Sequence, residues 1–297
     1  MDGFIVIDKP RGMTSFDVVR AVRSALAERQ AGHAGTLDPA ATGVLLVALG
    51  RCTRLLPFLP TEPKEYEFAV RFGVDTDTQD DTGREIGRSD VVPEDSALRA
   101  AIERFTGTVT QSPPRFSAVK IAGTRAYERA RRNEEFETRP REVRIEQLAL
   151  LSFDHGSATA RFRLRCSGGT YVRSLASDIA RALGTCGHAA DIRRTAVGRF
   201  VVGSALPFTR SAEDLRQALV PADKAFEGRT RARLDEGQVK DVAFGRRIRL
   251  SDVAGEEPAV AFTPGGGLAA VLQPAGDGWW RPARVFVEPE KRQGGRQ

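Results

Sequence analysis

The 297-residue chain is 41% hydrophobic and 28% charged, with 45 Lys and Arg against 39 Asp and Glu for a net charge of +6, a composition that excludes disorder, collagen and coiled coil and suits one large core plus a smaller domain. Three cysteines without a C-x-x-C pair argue against a disulfide scaffold or zinc knuckle. The acidic Met1–Asp8 stretch is unlike a signal peptide and no apolar run nears the roughly 20 residues a bilayer requires, so a cytoplasmic protein off the membrane is expected.

Phe4-Ile5-Val6-Ile7 reads as a short buried strand, followed by a Lys9-Pro10-Arg11-Gly12 turn. Thr14 offers an N-cap with Asp17 three residues on, and Val18, Val19, Val22 and Leu26 predict a helix running to about Glu28. A glycine-punctuated loop over 32–43 precedes the buried strand Val44–Leu49 and a short helix through Arg54-Leu55-Leu56. Tyr66, Phe68, Val70 and Phe72 alternate as in a strand with one buried face. The acidic stretch Asp75–Gly83 lacks the glycine and twelfth-position Glu of a calcium loop, so an Asx-rich turn is expected and no metal.

Ser96–Thr106 is predicted helical, Pro113-Pro114 halts regular structure, and a helix over Ala126–Arg132 should end at Asn133, a residue tolerant of the left-handed cap. Val143–Phe153 and Ala158–Cys166 read as an antiparallel pair, and Tyr171–Leu183 as a helix with Val172, Leu175, Ile179 and Leu183 on one face. From Arg229 a small β domain is expected, with a Gly265-Gly266-Gly267 turn, a last strand at Arg284–Val287 and a frayed tail over Lys291–Gln297. Arg115–Arg144 carries nine basic against five acidic residues, a net +4 that gathers most of the excess charge and fits a polyanionic partner.

Chemistry centres on Asp38. Because Pro39 follows it, Asp38 is biased to extended backbone and its carboxylate is presented rather than folded back. Gly32-His33-Ala34-Gly35-Thr36-Leu37-Asp38-Pro39-Ala40-Ala41-Thr42-Gly43 resembles the catalytic aspartate motif of pseudouridine synthases, specifically the TruB family of tRNA pseudouridine-55 synthases. Further matches, in order, are Lys9-Pro10-Arg11-Gly12-Met13-Thr14-Ser15, Lys64-Glu65-Tyr66, the Gln111–Lys120 stretch with Gly123 and Tyr127–Arg131, and Gly169-Thr170-Tyr171-Val172-Arg173. Two departures are Asn133 where glycine is expected and Thr195 where an aliphatic residue often follows the Arg193-Arg194 pair.

The resemblance implies an α+β pseudouridine synthase fold, a large mixed, mostly antiparallel sheet flanked by helices, over residues 1–228. It also implies a basic thumb-like insertion at about 111–144 and a small PUA-like RNA-binding domain over 229–297. The activity implied is isomerisation of uridine to pseudouridine at position 55 in the tRNA T-loop, with no cofactor, no obligatory protein partner and a monomeric enzyme on the T-arm. Asp38 is then the nucleophile, at C6 or C1′, or a base in an elimination route. Arg173 is its charge partner, and Tyr66 assists at the base. Substrate contacts are expected from Tyr171, from His33 wedging beside a flipped nucleotide, from Lys9 and Lys64 on phosphate, and from Thr195 at the periphery. Two rivals stand beside this reading: a noncatalytic tRNA-binding or folding protein on the same scaffold, and a glycoside hydrolase pairing Asp38 with Asp178.

Overall fold

The computed structural model describes residues 1–251, 253 and 257–289. Strand β1 (Gly3–Lys9) leads through a Lys9–Gly12 turn into helix α1 (Ser15–Ala25). Thr14 Oγ1 accepts from the Asp17 N–H at 3.0 Å and Asp17 Oδ2 accepts from the Thr14 N–H at 3.0 Å, the predicted capping box. The helix stops at Ala25, three residues earlier than its periodicity suggests. Ala27 turns left-handed at φ 50°, and the N–H groups of Ala27 and Glu28 close back on the carbonyls of Ser24 and Arg23. Asn133 (φ 55°) ends α3 (Ala126–Arg131) with the same pair of closing bonds, as expected of a glycine substitute.

The stretch over 32–43 is not all loop. Strand β2 (Ala31–Ala34) pairs antiparallel with β3 (Thr42–Leu49) through main-chain bonds that need no apolar side chains, leaving residues 35–41 to carry Asp38. Phe4–Ile7 of β1 and Val44–Leu49 of β3 are apolar without alternation because both faces are covered. Ile5, Ile7, Leu45 and Val47 pack under α1, while Phe4, Val6, Val44 and Leu46 share a second core with Val260, Phe262, Val271 and Phe286.

A 3-10 helix of about three turns at Gly50–Phe58 leads to β4 (Lys64–Phe72), which is one-faced. Tyr66, Phe68, Val70 and Phe72 point into the main core, whereas Glu65 and Glu67 point out to Arg165 and Arg163 at 2.7 and 2.9 Å. Next come β5 (Val74–Thr76), the acidic turn, β6 (Glu85–Arg88), α2 (Asp95–Arg104) and β7 (Gly107–Gln111). The basic segment leaves β7 at Gln111, forms β8 (Lys120–Ile121), β9 (Thr124–Arg125) and α3, and returns at Arg141, the register partner of Gln111. Strands β10 (Arg141–Asp154) and β11 (Thr159–Cys166) are the expected antiparallel pair. Phe162 of β11 lies opposite Phe68 of β4 with ring centroids 5.4 Å apart, each buried aromatic contributing about 1.5–3 kcal/mol by burial alone.

Helix α4 (Val172–Ala182) covers this core with Val172, Leu175, Ala176 and Ile179, and β12 (Gly187–Val197) runs down the middle of the sheet between β3 and β4. With β13 (Phe200–Val201) and β14 (Leu206–Pro207) the large sheet has ten strands. Short helices α5 (Ala212–Gln217) and α6 (Ala222–Ala225) lead to a five-stranded sheet. Its strands are β15 (Arg231–Arg233), β16 (Ile248–Arg249), β17 (Ala259–Phe262), β18 (Leu268–Pro274) and β19 (Trp279–Val285), with α7 (Glu236–Ala243) beside it. The last strand therefore begins at Trp279 rather than Arg284. Pro282 masked it in the sequence and sits beside a register shift where β18 and β19 fall out of step. The 291–297 tail lies outside the described residues. No helix among those residues is long and apolar enough to cross a membrane.

Candidate active site

Asp38 sits in a tight turn, its carbonyl accepting from the Ala41 N–H, between two buried anchors, Leu37 and Ala41. Three further tethers hold this turn. Ser15 Oγ both accepts from the Leu37 N–H at 2.8 Å and donates to the Leu37 carbonyl at 3.1 Å. The Gly12 N–H donates to the Pro39 carbonyl at 2.8 Å. Lys9 is fully buried and its ammonium donates to the carbonyls of Met13 (2.7 Å), Pro10 (2.9 Å) and Pro39 (3.4 Å). Lys9 is thus a clamp between the first turn and the aspartate turn, not the phosphate contact the sequence suggests, and burial pushes it down to about 8.

Arg194 supplies the other side of the turn and escapes sequence reasoning altogether. At 1% exposure, its guanidinium donates to the carbonyls of Val44 (2.8 Å), Gly35 (3.0 Å) and Thr36 (3.4 Å). Gly43 lets β12 come this close: at φ 102° a side-chain carbon there would lie 2.1 Å from the Arg194 carbonyl.

Arg173, near the start of α4, lies with its Nε 2.8 Å from Asp38 Oδ2. The contact is a charge pair rather than an aligned hydrogen bond, since the Nε–H is not directed at the oxygen. Two main-chain carbonyls fix the guanidinium, Thr78 at 2.8 Å and Phe116 at 2.9 Å, and Asp80 Oδ2 stands 3.8 Å away. Asp80 belongs to the acidic turn. Its Oδ1 accepts from the Thr78 and Thr82 hydroxyls and the Thr82 N–H, so the Asx turn expected there is a brace for Arg173. No group of three or more metal-ligand side chains occurs among the described residues.

Asp38 and Arg173 line a cavity of about 220 Å³ together with Lys64, Tyr66, Arg141, Tyr171 and Ile192, a volume for a small flat ring rather than the roughly 300–1,000 Å³ of drug-sized sites. Tyr66 projects from β4, and burial raises its phenol, so it is protonated at neutral pH. Tyr171 is bracketed by Gln111, which accepts from its N–H at 3.1 Å and donates to its carbonyl at 3.3 Å. Burial lowers Lys64 below the usual lysine value, with Arg194 adding to the effect. Ile192 reaches the cavity because β12 bulges between Ala190 and Arg193, a device that re-aims a side chain.

Besides Lys9, two expected contacts fall outside. Thr195 occupies a second bulge of β12, between the Arg194–Tyr66 and Ala196–Glu65 pairs, and does not line the cavity. His33 lies on β2 opposite Val47, also outside the lining, and burial followed by Arg194 lowers its imidazole. Asp178, the hydrolase candidate, faces Arg181 at 3.1 Å and does not line the cavity either.

A chain in the crystal structure of a Cbf5–Nop10–Gar1 complex superposes with a TM-score of 0.74 at 25% identity, over 97% of this chain and 85% of that one. The class that fold and sequence relatives define is the pseudouridine synthases, α+β isomerases with a small β domain consistent with a PUA-like module. Residues 23–172 match the model of the TruB family pseudouridylate synthase N-terminal domain. A tRNA pseudouridine synthase B of Gluconacetobacter diazotrophicus is 40% identical over 96% of this chain and 97% of its own, and one of Paracoccus denitrificans is 42% identical over 82% and 81%. The chain belongs to the TruB family of pseudouridylate synthases.

Proposed function

We propose that the chain isomerises uridine to pseudouridine at position 55 in the T-loop of tRNA, with Asp38 as nucleophile on a base turned out of the RNA stack. The observation that carries this is the Asp38–Arg173 pair in a ring-sized cavity flanked by Tyr66 and Tyr171. Relatives similar over nearly the whole chain bear the name tRNA pseudouridine synthase B, which supports tRNA as substrate.

The reaction breaks the N1–C1′ bond, turns the uracil and joins C5 to C1′, with no net redox change and hence no redox cofactor. The Asp38 carboxylate attacks C6 or C1′, or serves as base in an elimination. Arg173 supplies a fixed charge beside it. Tyr66 stacks on the base and, being protonated at rest, acts there as a hydrogen-bond donor. The basic insertion at about 111–144 and the 229–297 module extend the contact along the T-arm, gaining affinity by counterion release. The enzyme works as a monomer in the cytoplasm without an obligatory partner.

Tritium release from tRNA labelled at uridine C5 tests the proposal, comparing the protein with Asp38→Asn and mapping the product in the T-loop. Release by the parent and none by the variant supports it. Tight tRNA binding with no release by either returns the noncatalytic RNA-folding reading.

A further inference from the structure

The cavity carries more positive charge than its carboxylate balances. Asp38 is matched by Arg173. Lys64 and Arg141 line the same cavity, and among the described residues neither has a carboxylate at ion-pair distance. Glu62 acts on Lys64 only at longer range.

Arg141 is built into the site rather than draped over it. The guanidinium carbon stands 4.6 Å from the centroid of the Tyr171 ring, and Nη2 donates to the Gly169 carbonyl. Gly169 holds a left-handed φ of 85°, which aims its carbonyl at Arg141, and a side-chain carbon there would touch the guanidinium only at ordinary contact distances of 3.4–3.7 Å. The register partner of Arg141 is Gln111, whose amide brackets the Tyr171 main chain, so the root of the basic insertion and the Tyr171 ring hold this side chain together. Its Nε is shut off from solvent with no acceptor.

We propose that Arg141, with Lys64 as second cation, receives the phosphate of the nucleotide held over Asp38, a role that rests on the RNA-isomerase reading above. A phosphodiester fits better than a uracil carbonyl because two uncompensated cations call for an anion, and because the guanidinium fork matches phosphate oxygens. The ring of Tyr171 beneath the fork sets its plane and so selects the nucleotide whose phosphate and base fit at once.

The test is kcat/KM on a T-arm RNA against salt concentration for the parent, Arg141→Gln and Arg141→Lys, repeated with a methylphosphonate in place of the phosphate next to the target uridine. Arg141→Gln is expected to lower kcat/KM about 10- to 100-fold, chiefly through KM, and to reduce the salt slope by about one, the signature of one lost phosphate contact. Arg141→Lys keeps the slope while recovering only part of the rate. The methylphosphonate penalizes the parent but adds nothing in Arg141→Gln. An unchanged slope, or the same methylphosphonate penalty in parent and variant, overturns the proposal and leaves Arg141 as a brace for Tyr171 or a contact to a base carbonyl. If Arg141→Gln melts below the assay temperature, the response of Arg141→Lys to the neutral linkage decides in its place. Binding of the same RNAs separates the two readings: salt-dependent binding through Arg141 without tritium release removes the isomerase and keeps the phosphate contact.

Discussion

Arg173 is the immobile member of its pair with Asp38: the arginine side chain is 4% exposed and tied to two main-chain carbonyls, while Asp38, 2.8 Å away, keeps 37% of its side chain open. The charge is therefore pre-set and the carboxylate is free to meet a substrate, the arrangement that electrostatic preorganisation requires. A lysine at 173 is a point charge that cannot reach Asp38, Thr78 and Phe116 together. Arg173→Lys is expected to lower kcat on the order of 10²-fold, the size typical of one lost preorganised partner. A kcat for Arg173→Lys within about twofold of the parent refutes the pairing.

Asp80 does not line the cavity and faces it through Arg173. Asp80→Asn keeps an oxygen for Thr78 and Thr82 but removes the charge 3.8 Å from the guanidinium. The expected result is a fall in kcat of roughly 10-fold with KM unchanged, one pKa unit or tenfold step corresponding to about 1.4 kcal/mol. Asp80→Ala adds a loss of stability of about 1–3 kcal/mol, since buried donors lose their acceptor. A change confined to KM points instead to direct RNA contact.

What the sequence made legible was local. The Thr14 cap, the one-faced strand of Tyr66 and Phe68 and the Asn133 cap all follow from neighbours within a few positions, and each is found in the structure. Arg193 and Arg194 show where such reading stops. They are adjacent and chemically alike, yet Arg193 pairs with Asp8 at 2.7 Å near the surface while Arg194 is buried among main-chain carbonyls. Carbonyls have no sequence signature, so neither this keystone nor the inward turn of Lys9 was visible. Asp80 was hidden differently, inside a run of acidic residues whose fold-back onto Arg173 spans more than ninety positions.

Arg194→Met tests the keystone. Three carbonyls around the aspartate turn lose their donor, so a loss of about 3 kcal/mol is expected, unsatisfied buried groups costing about 1–3 kcal/mol each with partial relaxation. A lower urea midpoint with unchanged slope is the signature of that loss. Arg194→Lys is expected to recover less than half, because one ammonium cannot span the three acceptors. Parent-like stability in Arg194→Met shows that the turn stands without it.

The alkaline limb of the stability curve reports on Lys9. Burial lowers its value to about 8 from an ordinary 10.5, so the folded state releases the proton before the unfolded chain does. Between those values the unfolded state binds more protons, and stability rises with pH. Below about pH 8 both states are protonated and the group contributes no slope. Set against Lys9→Met, which has no such proton, the stability gap is expected to widen from pH 8 to 10.5 by at most about 3 kcal/mol, at about 1.4 kcal/mol per unit. Urea melts of both proteins at pH 7, 8.5 and 10 measure it. A gap that is flat or narrows over this range means the three carbonyls hold Lys9 as an ammonium throughout, and their bonds outweigh its burial.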